Sequence, residues 1–305
     1  MNRDVVIAAA ERISGLVERT PLVPSSPGFL KCECLQTGGS FKLRGATNRL
    51  LQLTATEKEL GVVAFSSGNH AQGVAIAAER LGIPATIVMP SNAPAIKVEG
   101  TRSHGAEIIF YDRLSESREE IAGRLAAERG CVVVPSFDDV MIVAGQGSVG
   151  IEILDQMSHP LKRIVVPCGG GGLASGIALA CPDAQIYAVE PAGWDDMGRS
   201  LAGGEIVPVG PNPPDTLCDA LQTLRVSPIT FGTLRDTETA ALSVTEAQVR
   251  DAVRWAWVEH GLKVEPGGAV ALAAVLAGLV PAGETTVIVL SGGNIDPALH
   301  AELIA

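Results

Sequence analysis

The chain has 305 residues, 47% of them apolar and 19% charged, with a formal net charge of −11. This apolar content excludes a disordered polymer, and an acidic total without clustered Lys and Arg excludes nucleic acid as the main partner. No apolar run reaches the ~18 residues of a membrane-spanning helix, so a soluble, cytoplasmic protein with no membrane partner is expected.

In chain order, residues 1–20 (MNRDVVIAAAERISGLVERT) intersperse acids and arginines with apolar positions. They read as an amphipathic surface helix rather than a signal peptide. The cysteines are Cys32, Cys34, Cys131, Cys168, Cys181 and Cys218. Only Cys32 and Cys34 are close, a spacing poorly suited to zinc, so reduced core thiols are expected. From about residue 60, β-rich runs at 62–66, 85–89, 106–110, 131–134, 163–167, 185–189 and 285–290 alternate with helical spacing. Ala71, Val74, Ala75, Ala78 and Leu81 show that spacing, closed by Gly82 and Pro84. Such alternation predicts parallel sheets covered by helices on both faces. The Gly- and Pro-rich stretch 203–216 predicts a loop before a helical region at 245–261. In open α/β sheets ligands sit beyond the carboxyl ends of strands, so motifs at strand-to-helix junctions carry the functional weight.

Four motifs stand out. In Ser40-Phe41-Lys42-Leu43-Arg44-Gly45-Ala46, Lys42 is either a surface lysine or a nucleophilic amine in an apolar, cationic setting to which Arg44 contributes. Ser66-Ser67-Gly68-Asn69-His70 follows a predicted strand and opens a helix. Free backbone N–H groups there make a carboxylate or phosphate site beyond what an N-cap needs. Gly169-Gly170-Gly171-Gly172, followed by Leu173, lies between a buried strand and a helix. That run costs conformational entropy, and a phosphate cradled by backbone N–H groups gives the reason. Ser291-Gly292-Gly293-Asn294 follows the last strand, where the Ser291 hydroxyl either reaches a ligand or caps the next helix.

Taken together and in order, these motifs resemble the fold-type II pyridoxal-phosphate enzymes, in the branch of serine/threonine dehydratases and serine racemases. The resemblance runs through Ser40 to Asn48, Ser66 to Pro90, Ala144 to Leu154, the tetraglycine loop, Glu265 to Ala273 and Ser291 to Asn294. It implies a two-domain α/β fold (tryptophan synthase beta-like) with parallel-rich twisted sheets flanked by helices. Residues 1–52 and 142–305 would form a large cofactor-binding domain, and 53–141 a small mobile one. By the same resemblance Lys42 holds pyridoxal 5'-phosphate as a Schiff base and moves protons on one face of it. Phe41 packs on the ring, Gly169, Gly170, Gly171, Gly172 and Leu173 bind the phosphate, Asn69 meets O3' and Ser291 the pyridine nitrogen. Ser66, Ser67, Gly68, Asn69 and His70 hold the substrate carboxylate. A homodimer is usual in the family.

The implied activity is α,β-elimination from L-threonine and/or L-serine, giving 2-oxobutyrate or pyruvate and ammonia. Two alternatives remain open. Ser67 stands where racemases place the second acid/base, which allows serine or aspartate racemisation. Arg118 resembles a racemase-branch arginine able to select 3-hydroxyaspartate through its second carboxylate, or is a solvated helix arginine. Phe137, in Pro135-Ser136-Phe137, matches the aromatic residue of dehydratases. Glu190, the Trp194 carbonyl and Asp196 resemble a divalent-cation site for Mg²⁺ or Ca²⁺, or form a solvated acidic loop. Ala220 and Gly267-Gly268 depart from the usual residues, and the end at Ala305 predicts no end-product regulatory domain.

Overall fold

The computed structural model describes residues 1–66, 68–93, 95–112 and 115–305. Among these residues ten strands form two sheets. They are β1 (Leu22–Ser25), β2 (Gly28–Cys32), β3 (Val62–Phe65), β4 (Ala85–Pro90), β5 (Glu107–Tyr111), β6 (Val132–Val133), β7 (Arg163–Pro167), β8 (Gln185–Pro191), β9 (Ala240–Val244) and β10 (Thr286–Leu290). The larger sheet runs β1-β2-β10-β7-β8-β9, the smaller β5-β4-β3-β6. All pairs are parallel except the β1–β2 hairpin.

Every strand expected from an apolar run is present, with ends shifted by at most two residues. Central β10 is buried along its whole length, as a strand covered on both faces must be. The fold is therefore mixed α/β with parallel-rich sheets flanked by helices. The helix after β3, Asn69–Leu81, buries its Ala and Val face and stops at left-handed Gly82, which the chain reverses to place β4. The N-terminal helix spans Arg3–Ile13, and the region 245–261 forms helix Glu246–His260. All six cysteines are buried free thiols. Among the described residues no helix is long and apolar enough to cross a membrane.

The helix that starts at Lys42 (Lys42–Leu51) is anchored by a buried charge cluster rather than by apolar contacts alone. Arg44 bonds Glu33 through Nε at 2.8 Å and Glu152 through Nη1 at 2.6 Å. Lys31 Nζ joins Glu152 at 2.5 Å and donates to the Thr20 carbonyl at 2.8 Å. Two cations and two anions thus neutralise one another where Arg44, Lys31 and Glu33 are fully buried, tying β2 to this helix and to helix Val140–Gln156. The expectation that Arg44 adds cationic character around Lys42 is corrected. Two positions along a helix turn a side chain by about 200°, and Arg44 faces the cluster instead.

Candidate active site

The motifs meet at the carboxyl ends of the strands. A bridge pairs Ser40 with Gly292, and the Phe41 amide donates to the Ser291 carbonyl at 3.2 Å, so the lysine motif is stitched to the end of β10. Lys42 Nζ donates to the Ser136 carbonyl at 3.1 Å and lies 5.1 Å from the Phe41 ring centroid. Burial pushes its pKa down to about 8, against the opposing pull of Glu265. An amine so shifted is a substantial fraction neutral near physiological pH, which a nucleophile or base requires.

Asn69 opens the helix after β3 and donates through Nδ2 to Glu265 Oε1 at 2.6 Å, while its Oδ1 accepts from Asn294 at 2.8 Å. Glu265 is buried, and burial raises its pKa to about 8 with Asp219 adding to the rise. Gly292 is forced here: a Cβ on it would lie 2.0 Å from Glu265 Oε1. His70 donates from Nε2 to the Val134 carbonyl at 2.9 Å, leaving buried Nδ1 without a partner among the described residues. Burial, with Lys42 nearby, lowers the His70 pKa to about 3, so the ring is neutral. Ser66 Oγ accepts from the Gly68 amide at 3.1 Å, and among the described residues no side chain caps the Asn69 helix. Ser67 lies outside the described residues.

The tetraglycine loop leads from β7 into helix Gly172–Ala180, whose N-terminus also has no side-chain cap. Gly171 has φ +85°, and a Cβ on Gly170 would strike the Phe137 ring at 2.3 Å, so glycine is needed for both conformation and space. These uncapped amides, the buried Lys42 amine and the Ser291 hydroxyl, which makes no hydrogen bond among the described residues, are the groups that a phosphate, an aldehyde carbon and a pyridine nitrogen require. The site therefore fits pyridoxal phosphate. Glu265 and the Ser136 carbonyl were not singled out by sequence reasoning. An acid before a helix-starting proline signals only a favourable helix dipole; its partner Asn69 is 196 positions away.

Arg118 starts helix Arg118–Arg129. Its guanidinium carbon lies 5.5 Å from the ring centroid of Phe65, the last residue of β3. Nε donates to Glu119 at 2.9 Å, and the side chain is partly exposed. At the end of β8, Glu190 accepts from the Met197 and Gly198 amides at 3.0 and 2.8 Å. Among the described residues both Asp196 oxygens are buried without a close hydrogen bond, with only the backbone of Asp196 and Val226 acting on the carboxyl. Burial raises both pKa values, to about 8 for Glu190 and about 6 for Asp196. Trp194 Nε1 donates to the Pro214 carbonyl at 2.8 Å. Among the described residues no group of three or more His, Cys, Asp or Glu gathers as a metal site.

Glu265 gives a stability test. In the cofactor-free chain its folded pKa of about 8 lies above the ordinary 4.5, so between those values the folded state keeps a proton that the unfolded state has released. Stability then falls as pH rises through that window. Melting curves of wild type and Glu265→Gln from pH 5 to 8 should diverge in the variant's favour. Parallel curves would remove the buried acid from the account.

The family model described as pyridoxal-phosphate dependent enzyme matches residues 13–292. The chain is 42% identical to an L-threo-3-hydroxyaspartate ammonia-lyase of Pseudomonas sp, over 98% of this chain and 97% of that protein. It is 36% identical to a serine racemase of Schizosaccharomyces pombe, over 99% and 97% respectively. The solved structure of maize serine racemase superposes with a TM-score of 0.93 at 37% identity, covering 99% of this chain and 96% of that one.

Proposed function

The chain belongs to the pyridoxal-phosphate dependent enzyme family, and on that premise we propose that it is an ammonia-lyase acting on 3-hydroxyaspartate, with L-serine and L-threonine as weaker substrates. The observation that carries this reading is Arg118, whose guanidinium carbon lies 5.5 Å from the ring of Phe65, the last residue of β3. The terminal nitrogens of Arg118 make no hydrogen bond among the described residues and suit a second carboxylate. The match to the Pseudomonas ammonia-lyase supports the same substrate.

Pyridoxal phosphate, when bound, supplies the electron sink that makes the substrate α-proton acidic. In this reading Lys42 would hold the cofactor, and its neutral amine would take the substrate α-proton. The Ser136 carbonyl orients the amine. Amides at the Gly172 helix start hold the phosphate, with Gly169 to Leu173 around it. Phe41 would pack on the ring, Asn69, already paired with Glu265, would meet O3', and Ser291 would meet the ring nitrogen as a neutral partner. The Asn69 helix N-terminus, with Gly68 and His70, takes the α-carboxylate. Elimination of water leaves an enamine that hydrolyses on release to oxaloacetate and ammonia. Residues 53–141, which include the smaller sheet, are the unit that closes over the substrate.

Arg118→Ala tests the specificity. A charge-assisted pair contributes about 1.5–3 kcal/mol, so kcat/KM for 3-hydroxyaspartate should fall roughly 10- to 150-fold while that for L-serine barely moves. An equal loss on both substrates would refute selection by Arg118.

A divalent cation would take the buried Asp196 carboxylate, Glu190 and the Trp194 carbonyl as three of its oxygen donors, with water supplying the rest. Mg²⁺ at a hundredfold excess over its Kd should stabilise the protein by about 2.7 kcal/mol, read as a raised Tm that chelator reverses. Asp196→Asn should abolish the response. A Tm indifferent to Mg²⁺, Ca²⁺ and chelator would exclude the site.

A further inference from the structure

One ion pair among the described residues joins the segment 62–133, which builds the smaller sheet, to the rest of the chain: Lys97 Nζ with Asp219 Oδ2. Lys97 sits on helix Ala95–Arg102, which packs on the Asn69 helix, with Gly100 facing the Gln72 side chain. Gln72 in turn accepts weakly from Asn294, at 3.4 Å, and Asn294 also donates to Asn69. Asp219 begins the short turn Asp219–Leu221, which roofs two parts of the site. A Cβ on Gly267 would touch Leu221 at 3.2 Å and Ala220 at 3.4 Å, and one on Gly169 would lie 3.3 Å from the Leu221 Cα. The turn thus rests on the tetraglycine loop and on the start of the helix behind Glu265.

We propose that Lys97 and Asp219 are positioning residues, a cross-cleft clasp that draws the Asn69 helix and the Asp219–Leu221 turn together around Glu265. The proposal rests on the reading of this cleft as the cofactor and substrate site. It departs from that reading in assigning work to two residues that touch neither. The charges agree with the geometry. Glu265 is acted on by Asp219, which strengthens its hold on a proton, and by Lys97 and Lys42, which weaken it; Cys218, beside Asp219, feels Glu246, Asp219 and Glu265. With the clasp formed, the Lys97 cation offsets Asp219 at Glu265. With it broken, the Lys97 contribution is lost and only Lys42 and the Asn69 bond still oppose Asp219 at Glu265. The pair is also placed to respond to ionic strength, because the Asp219 side chain is half exposed while that of Lys97 is mostly covered.

The test uses Lys97→Ala, Asp219→Asn and the reversed pair Lys97→Asp/Asp219→Lys. Amide hydrogen exchange across 69–81 and 219–223 is measured on both cofactor-free and loaded protein, alongside kcat and KM. Each single variant should exchange faster in both segments and lose about 5-fold in kcat/KM, mainly through KM. High salt should produce the same loss in wild type. The reversed pair should restore slow exchange and most of the kinetics. Wild-type exchange in the single variants, or impairment that charge reversal does not rescue, would overturn the clasp. Exchange is read without substrate, so a protein inactive on every hydroxy amino acid would refute the functional reading while leaving the clasp to be judged.

Discussion

Replacing Lys42 with alanine should lower 2-oxo acid release by about 10⁴-fold or more, the upper range for one acid–base group combined with loss of the covalent anchor. The amine is buried, oriented by the Ser136 carbonyl, and lowered to a pKa of about 8 by desolvation. Among the described residues that line the site, His70 is neutral and already donates to Val134, and Glu265 holds its proton until about pH 8. Neither replaces a neutral amine as base. The check is oxo-acid assay together with the visible absorbance of bound cofactor. A variant retaining a tenth of wild-type turnover would remove Lys42 from the chemistry.

Arg44→Ala should destabilise the fold by about 3–5 kcal/mol, the cost of breaking a buried ion pair from one side. The substitution leaves Glu33 and Glu152 facing Lys31 alone, with Glu33 fully buried. Glu33 has no solvent to replace the lost guanidinium, while Glu152 is partly solvent-accessible. Because Arg44 belongs to the helix that begins at Lys42, the variant should also load cofactor more weakly. Denaturant unfolding measures the first effect, and a loss below about 1 kcal/mol would show that the cluster relaxes. A two-state reading of that transition must be verified by coincident probes.

The strands legible in the sequence were those with an unbroken apolar run, whether buried along their whole length as β10 is or half-exposed as β5 is. The hairpin β1–β2 was not read, because Pro24 and Pro27 interrupt its pattern. Pro24 is tolerated since β1 lies at the sheet edge. Short β9 (AALSV) was hidden by small residues that carry little strand preference. The four site motifs were legible because each combines glycines with polar residues at a strand-to-helix junction. What escaped depends on contacts distant in sequence: the Asn69–Glu265 bond, and the direction of Arg44, where local proximity to Lys42 misled. The unpartnered Asp196 carboxylate is likewise invisible without burial.

The most direct measurement of the central claim is 2-oxo acid release by the Mg²⁺- and cofactor-loaded protein from L-threo-3-hydroxyaspartate, L-serine and L-threonine, with chiral analysis of the residual amino acid. The account predicts oxaloacetate and ammonia in equal amounts, with kcat/KM highest for the hydroxyaspartate. A preference for L-serine or L-threonine would contradict the role of Arg118. Release of no oxo acid, with the D-isomer accumulating, would contradict the lyase and make the protein a racemase.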